Sequence, residues 1–187
     1  MGGSAIATDL LSVYLDEVAI QTNRYYEFQT QLTSDDLVII SSYSGNTEEV
    51  VNAYRKARRS PADVAIISTG GRLVDGLDQT RVPLIDLPEG YLPRAALPYA
   101  FFTFLSFFED LDITPGHHRD VQQLVNYLRS HDLESHGEQL SEKFDGNLPV
   151  VYTSQPYYPV AYRWETQLNE NAKTLAKSRA YSEANNN

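Results

Sequence analysis

The sequence predicts an α/β protein, a parallel β-sheet flanked by helices, and two patterns carry that prediction. Three short runs, Leu37-Val38-Ile39-Ile40, Val64-Ala65-Ile66-Ile67 and Val82-Pro83-Leu84-Ile85, are continuously apolar and bounded by turn residues. Strands covered on both faces look like this, whereas a half-exposed antiparallel strand alternates. Between the first two runs, Val50, Ala53, Tyr54 and Ala57 fall at i, i+3, i+4 and i+7, the spacing of an amphipathic helix. Strand, helix, strand is a βαβ unit with a right-handed crossover, and a ligand site in such a sheet belongs at the carboxyl ends of its strands.

The remaining elements follow in chain order. Ile6, Leu10, Val13 and Tyr14 form a helical stripe directly after Gly2-Gly3-Ser4. A Gly-rich turn that opens a helix follows a strand in this architecture. No residues stand before Met1 to form one, so the first domain reads as lacking its first strand. Pro93 marks a helix start, and Ala95 to Phe108 is apolar nearly all round, as a helix buried on most sides would be. This segment is shorter than the roughly 20 residues a membrane span needs and contains Pro98. Pro115 and Gly116 punctuate before a further amphipathic helix marked by Val121, Leu124, Val125 and Leu128. The polar stretch 133–147 is read as a linker between a first domain, 1–132, and the start of a second, 148–187. That second part opens on a strand at Leu148 to Thr153, followed by a helix with Ala161, Trp164, Leu168, Ala172 and Leu175 on one face.

Composition narrows the function. With 25 acidic and 15 basic side chains the formal net charge is −10, which disfavours a nucleic-acid partner. The one dense basic cluster, Arg55, Lys56, Arg58 and Arg59, falls in the last turn of its helix, where cations complement the macrodipole. No cysteine is present, which removes disulfides and thiolate chemistry and makes a reducing cytoplasm the default. Met1 to Leu11 has no basic n-region and carries Asp9, so no signal peptide is read there. His117, His118, His131 and His136 show no liganding spacing with carboxylates, so no metal site is expected.

The sharpest local signal is Ser42-Tyr43-Ser44-Gly45-Asn46-Thr47-Glu48-Glu49, between the first strand and its helix. Hydroxyls at Ser42, Ser44 and Thr47, with Gly45 allowing close backbone approach, can join helix N-terminal N–H groups to hold a phosphate. Equally, Ser44 or Asn46 can simply cap the helix while Glu48 and Glu49 complement its dipole. The phosphate reading requires those two glutamates to face away. Thr69-Gly70-Gly71 after the second strand and Gly2-Gly3-Ser4 add two more turns at the same sheet edge. Arg94, taken alone, reads as a surface or interface arginine. Glu170 lies off the apolar stripe of its helix and reads as a solvated carboxylate beside Lys173 at i+3.

Taken together, Met1-Gly2-Gly3-Ser4-Ala5-Ile6-Ala7, the Ser42 to Glu49 run, Pro93-Arg94-Ala95-Ala96-Leu97, Ala161-Tyr162-Arg163-Trp164 and Asn169-Glu170-Asn171-Ala172-Lys173 resemble the bifunctional phosphoglucose/phosphomannose isomerases of the sugar isomerase (SIS) superfamily. The resemblance implies two SIS domains, the second only begun here, and a cytoplasmic homodimer. It implies reversible conversion of glucose 6-phosphate or mannose 6-phosphate to fructose 6-phosphate through a cis-enediol, with neither metal nor other cofactor. By the same resemblance Ser42, Ser44 and Thr47 bind the phosphate and Gly3 and Ser4 line the sugar site. Glu170 moves the proton between C1 and C2, and Arg94 stands beside the developing enediolate. A carboxylate base and a fixed cation make that chemistry coherent. Where the family pattern reads Pro-Glu-Ala-Asn-His-Asn, this chain has Ser182-Glu183-Ala184-Asn185-Asn186-Asn187. Asn186 replaces the ring-opening histidine, and the family's ring-opening lysine lies beyond the chain. Impaired activity of the chain alone is therefore expected, and a non-catalytic sugar-phosphate-binding module is the alternative.

Overall fold

Gly3–Tyr14 (α1) is the first helix of the computed structural model, which describes residues 3–25, 28, 30–75, 77 and 80–181. The chain forms two compact units, Met1–Leu111 and Asp112–Asn187. In the first, Leu37–Ser42 (β1), Asp63–Ser68 (β2) and Leu84–Asp86 (β3) make a parallel sheet in the order β1-β2-β3. Glu48–Ala57 (α2) connects the first two strands. Register places Ser42 opposite Ser68 and Ser68 opposite Asp86, so the sheet ends in a polar row at its carboxyl edge. Both serines are buried.

The apolar runs behave as continuous burial predicts. Consecutive Ala65, Ile66 and Ile67 are all buried, which only a strand covered on both faces achieves. Ile40, Ala57, Ile66, Leu73 and Val82 form a core cluster, against which Val50, Ala53 and Tyr54 of α2 pack. A second buried group joins Ile6, Ala7 and Leu11 of α1 with Ala100, Phe104, Leu105 and Phe108 of Leu97–Asp110 (α3), and the two helices lie against each other. Burial on α3 thus follows one stripe, while Tyr99 stays partly exposed. Phe101, Phe102, Thr103 and Phe107 are half-buried, so exposure is confined to the side carrying Pro98, Tyr99, Ser106 and Asp110. The third strand starts at Leu84, two residues later than expected, because Pro83 has no N–H for a ladder; its carbonyl still accepts from Ile66 N at 2.9 Å.

The second unit contains His118–Ser130 (α4), Leu133–Phe144 (α5), Val150–Ser154 (β4), Tyr158–Gln167 (α6) and Lys177–Tyr181 (β5). Strand β5 runs parallel to β4, with Val150 opposite Lys177 and Ser154 opposite Tyr181. The polar stretch expected as a linker carries α5, capped by Asp132, whose carboxylate accepts from Ser135 N at 3.1 Å. The apolar stripe of α4 is not buried: Leu124 and Leu128 are 42% and 49% exposed. The single apolar face expected from Ala161 to Leu175 is also corrected. α6 ends at Gln167, a π-turn spans Leu168–Ala172, and Lys173 turns the chain in the left-handed region at φ 54°. Leu175 is exposed as a result. No helix among the described residues is long and apolar enough to cross a membrane.

Candidate functional site

The carboxyl edge of the first sheet carries the Ser42 to Thr47 turn, and its geometry follows from a close crossing of two loops. Gly45 adopts φ +62°, and a Cβ there would fall 1.7 Å from the carbonyl oxygen of Gly70. Only glycine tolerates both the dihedral and the approach. Gly71 makes the reciprocal contact, since its Cβ would stand 2.4 Å from the carbonyl oxygen of Ser44. Hydrogen bonds seal the crossing: Leu73 N donates to Gly45 O at 2.9 Å, Arg72 N to the Asn46 Oδ1 at 3.0 Å, and Thr69 N to Tyr43 O at 3.2 Å. The three turns that sequence placed at one edge thus include two that interlock. The third, Gly3 and Ser4, opens α1, where only the backbone is described.

Within the turn, Gly45 N donates to Ser42 Oγ at 3.1 Å, and the Ser42 and Thr47 hydroxyls are 3.2 Å apart. Ser44 and Thr47 lie exposed at the mouth, with Ser42 buried beneath them. The alternative of a capping serine or asparagine is not what the geometry shows. Thr47 occupies the N-cap position of α2 and makes no side-chain capping bond. Ser44 Oγ accepts from Asn46 N at 3.4 Å, and the Asn46 carbonyl oxygen is used by Arg72. The mouth therefore combines hydroxyls with the positive end of a helix dipole, the arrangement that favours an oxyanion. Glu48 stands 3.9 Å from Arg72, so its charge is partly matched; an exposed pair of this kind contributes little to stability.

Arg94 belongs to the same unit. It sits exposed in a 3₁₀ turn, Pro93–Ala95, in the segment between β3 and α3. That segment is fastened to the cradle by Tyr43, whose hydroxyl donates to Pro88 O and accepts from Tyr91 N, each at 2.9 Å. The pattern reading gave Tyr43 no role, because a tyrosine between two serines has no periodicity to mark it.

Glu170 lies in the other unit, exposed on the π-turn after α6. The turn is held by Ala176 N donating to Asn169 Oδ1 at 2.8 Å. Beside it, Glu165 of α6 accepts from Ser178 N at 2.6 Å and Ser178 Oγ at 2.5 Å, which ties β5 to the helix. The Glu170 charge acts on Arg163: burial lowers that guanidinium from its ordinary value, and Glu170 partly offsets this. Lys173 at i+3, the partner that helical spacing suggested, sits instead at the left-handed turn. Asn186 lies outside the described residues.

Along residues 133–187 the chain matches the family described as the bacterial phosphoglucose isomerase C-terminal SIS domain. It is 35% identical, over 100% of its own length and 59% of the relative's, to the bifunctional phosphoglucose/phosphomannose isomerase of Caldicellulosiruptor bescii. Over its whole length the chain is similar to the bifunctional phosphoglucose/phosphomannose isomerases, with a second match at 35% identity to that of Thermoplasma volcanium, over 60% of the relative's length. The chain is also similar to a protein of another name, the D-glucosamine-6-phosphate 4-epimerase of Sulfolobus acidocaldarius, at 29% identity over 100% of the chain and 60% of that protein. The fold matches the C-terminal domain of the glucosamine-fructose-6-phosphate aminotransferase of Francisella tularensis at a TM-score of 0.67 and 16% identity, over 96% of this chain and 56% of that one. The chain thus spans about 60% of the length of the curated family members it matches.

Proposed function

We propose that this chain carries the sugar-phosphate site of an aldose–ketose isomerase that interconverts glucose 6-phosphate or mannose 6-phosphate with fructose 6-phosphate. The observation that carries the reading is the mouth of the Ser42–Thr47 turn. Two exposed hydroxyls stand over a helix start whose N-cap makes no side-chain capping bond, and glycines hold the backbone at close range. Ser42, Ser44 and Thr47 bind the phosphate, Gly3 and Ser4 line the sugar, and the substrate is released and bound without cofactor.

In the chemical step the Glu170 carboxylate removes the proton from C2 of the aldose and returns it to C1, passing through a cis-enediol. Arg94 faces the oxygen that gains negative charge. A fixed cation lowers the energy of that oxyanion more than of the neutral substrate, which is the condition for catalysis. The first SIS domain is assigned to residues 1–132, with 133–147 leading into a second that begins near 148. The parallel β4-α6-β5 order supports that second assignment, and the family match takes in 133–147 together with it. A cytoplasmic homodimer is part of the same proposal.

One observation favours a second reading, a binding module without turnover. The cradle and Arg94 are built wholly within the first unit, so sugar-phosphate binding needs nothing from the unit that carries Glu170. Asn186, in place of a proton-exchanging histidine, points the same way.

A coupled assay of fructose 6-phosphate conversion, run beside thermal shift with the same ligand, separates the two. Turnover abolished by Glu170→Gln supports the isomerase. Stabilisation by ligand that Ser44→Ala removes, without turnover, supports the module. No response in either measurement overturns both.

A further inference from the structure

We propose that Tyr43 is a positioning residue: its phenol straps the Pro88 to Tyr91 segment across the strand ends and so sets where Arg94 stands relative to a phosphate in the cradle. The proposal rests on the reading of Ser42–Thr47 and Arg94 as one sugar-phosphate site.

The Ser42 side chain is buried beneath the mouth of the turn, while the Tyr43 hydroxyl is occupied by the segment after β3. Tyr43 therefore does not compete for the phosphate. Its hydroxyl reaches past β2 to the segment after β3, donating to Pro88 O and accepting from Tyr91 N, each at 2.9 Å. Its own carbonyl is held by Thr69 N at 3.2 Å. The strut is thereby braced at the base and loaded at the tip. Beyond it, the Tyr99 hydroxyl of α3 donates to the Tyr91 hydroxyl at 2.7 Å, with the rings 4.7 Å apart. The segment is thus fastened to the sheet edge by Tyr43 and to the helix by Tyr99.

Arg94 lies three residues past Tyr91, and the chain between them is short and bonded. Ala95 N donates to Leu92 O at 2.8 Å, and Pro93 fixes its own φ. Fixing residue 91 consequently fixes the base of the Arg94 side chain. A guanidinium that stabilises a developing oxyanion must be in place before the charge appears, because rearranging it during the reaction forfeits the benefit. The same turn that offers hydroxyls to the phosphate thus also sets the cation for the other end of the sugar.

Tyr43→Phe is the informative variant. It keeps the ring, and the two partners lie on an exposed segment where water can replace the lost hydroxyl. Two ligands report different parts of the site in calorimetric titration of the 187-residue chain: inorganic phosphate probes the cradle alone, and 5-phosphoarabinonate carries a phosphate together with a carboxylate that mimics the enediolate. Tyr43→Phe is expected to leave phosphate affinity within twofold and to weaken the phosphoaldonate about 5- to 10-fold, the worth of one well-placed hydrogen bond. In an Arg94→Ala background the Tyr43 change is expected to cost nothing further on the phosphoaldonate, and exchange of the Tyr91 amide is expected to accelerate in Tyr43→Phe even without ligand. Equal weakening of both ligands, additive losses with Arg94→Ala, or an unchanged Tyr91 amide would each overturn the proposal. If the unaltered chain binds neither ligand while its Tyr91 amide is protected through Tyr43, the sugar-phosphate reading itself has failed and the role proposed for Tyr43 falls with it.

Discussion

Gly45→Ala asks the cradle to accept one methyl group where two backbones already touch. The dihedral alone, φ +62°, costs an L-residue about 1–2 kcal/mol. The new Cβ would also fall 1.7 Å from Gly70 O and 2.9 Å from both Gly70 C and Ser68 Oγ. Those neighbours cannot simply rotate away, since two are backbone atoms and the crossing is tied by Leu73 N and Arg72 N to the Ser44–Thr47 turn. Forcing atoms into packed space of this kind costs typically about 1–3 kcal/mol. The sum is about 2–5 kcal/mol, a large share of a domain's usual stability of about 5–15 kcal/mol. Gly90→Ala is the control, because Gly90 has φ +89° but nothing within 4 Å of its would-be Cβ. It should lose only the dihedral part, about 1–2 kcal/mol. Urea denaturation of both variants, with unchanged slopes, measures the difference. If Gly45→Ala loses no more than Gly90→Ala, the loop crossing is not close in solution and the account of the cradle is wrong.

Three further outcomes can be checked in the same preparations. Phe104→Ala, at the 2% exposed centre of the α1–α3 contact, should lower stability by about 3–5 kcal/mol in urea melts; a loss under 1 kcal/mol would mean the two helices do not share a core. Glu165→Ala removes the acceptor for Ser178 N and Oγ and should cost about 2–4 kcal/mol; Ser178 amide exchange reports it, with Glu165→Gln losing less because it keeps an acceptor. Tyr99 donates its proton to Tyr91, which raises its phenol above the ordinary value. The proton is then held more tightly folded than unfolded, so this contribution is fully present below about pH 10 and is lost as pH rises through the raised folded value. Ultraviolet titration should show one tyrosinate forming late, and Tyr99→Phe should remove that late step.

The strands and their helix were legible because burial on both faces requires continuous apolar runs, which Val64 to Ile67 display and a chain can read out locally. The hydroxyl turn was legible for a similar reason: it sits where the period changes from strand to helix. Lys177 to Tyr181 escaped, since β5 alternates exposed Lys177 and Arg179 with buried Ser178 and half-buried Ala180 and offers no β-branched run. The stripe from Ala161 to Leu175 misled because helical periodicity carries no mark of a π-turn; the chain leaves the helix where Asn169 and Lys173 make specific bonds and dihedrals.

The sequence by itself determined the α/β class, the order β1-α2-β2-β3, the position of the hydroxyl turn and the resemblance to phosphoglucose/phosphomannose isomerases. Each of these is written in local periodicity or in contiguous motifs. Tertiary structure alone decided that the Gly45 and Gly70 backbones cross in contact, that Asn46 serves Arg72 instead of capping α2, that Tyr43 straps the segment bearing Arg94, and that the Glu170 charge acts on the half-buried Arg163. All but the last join residues 25 to 48 positions apart. Such pairings depend on how strand ends align and where turns close, and no periodicity along the chain encodes them.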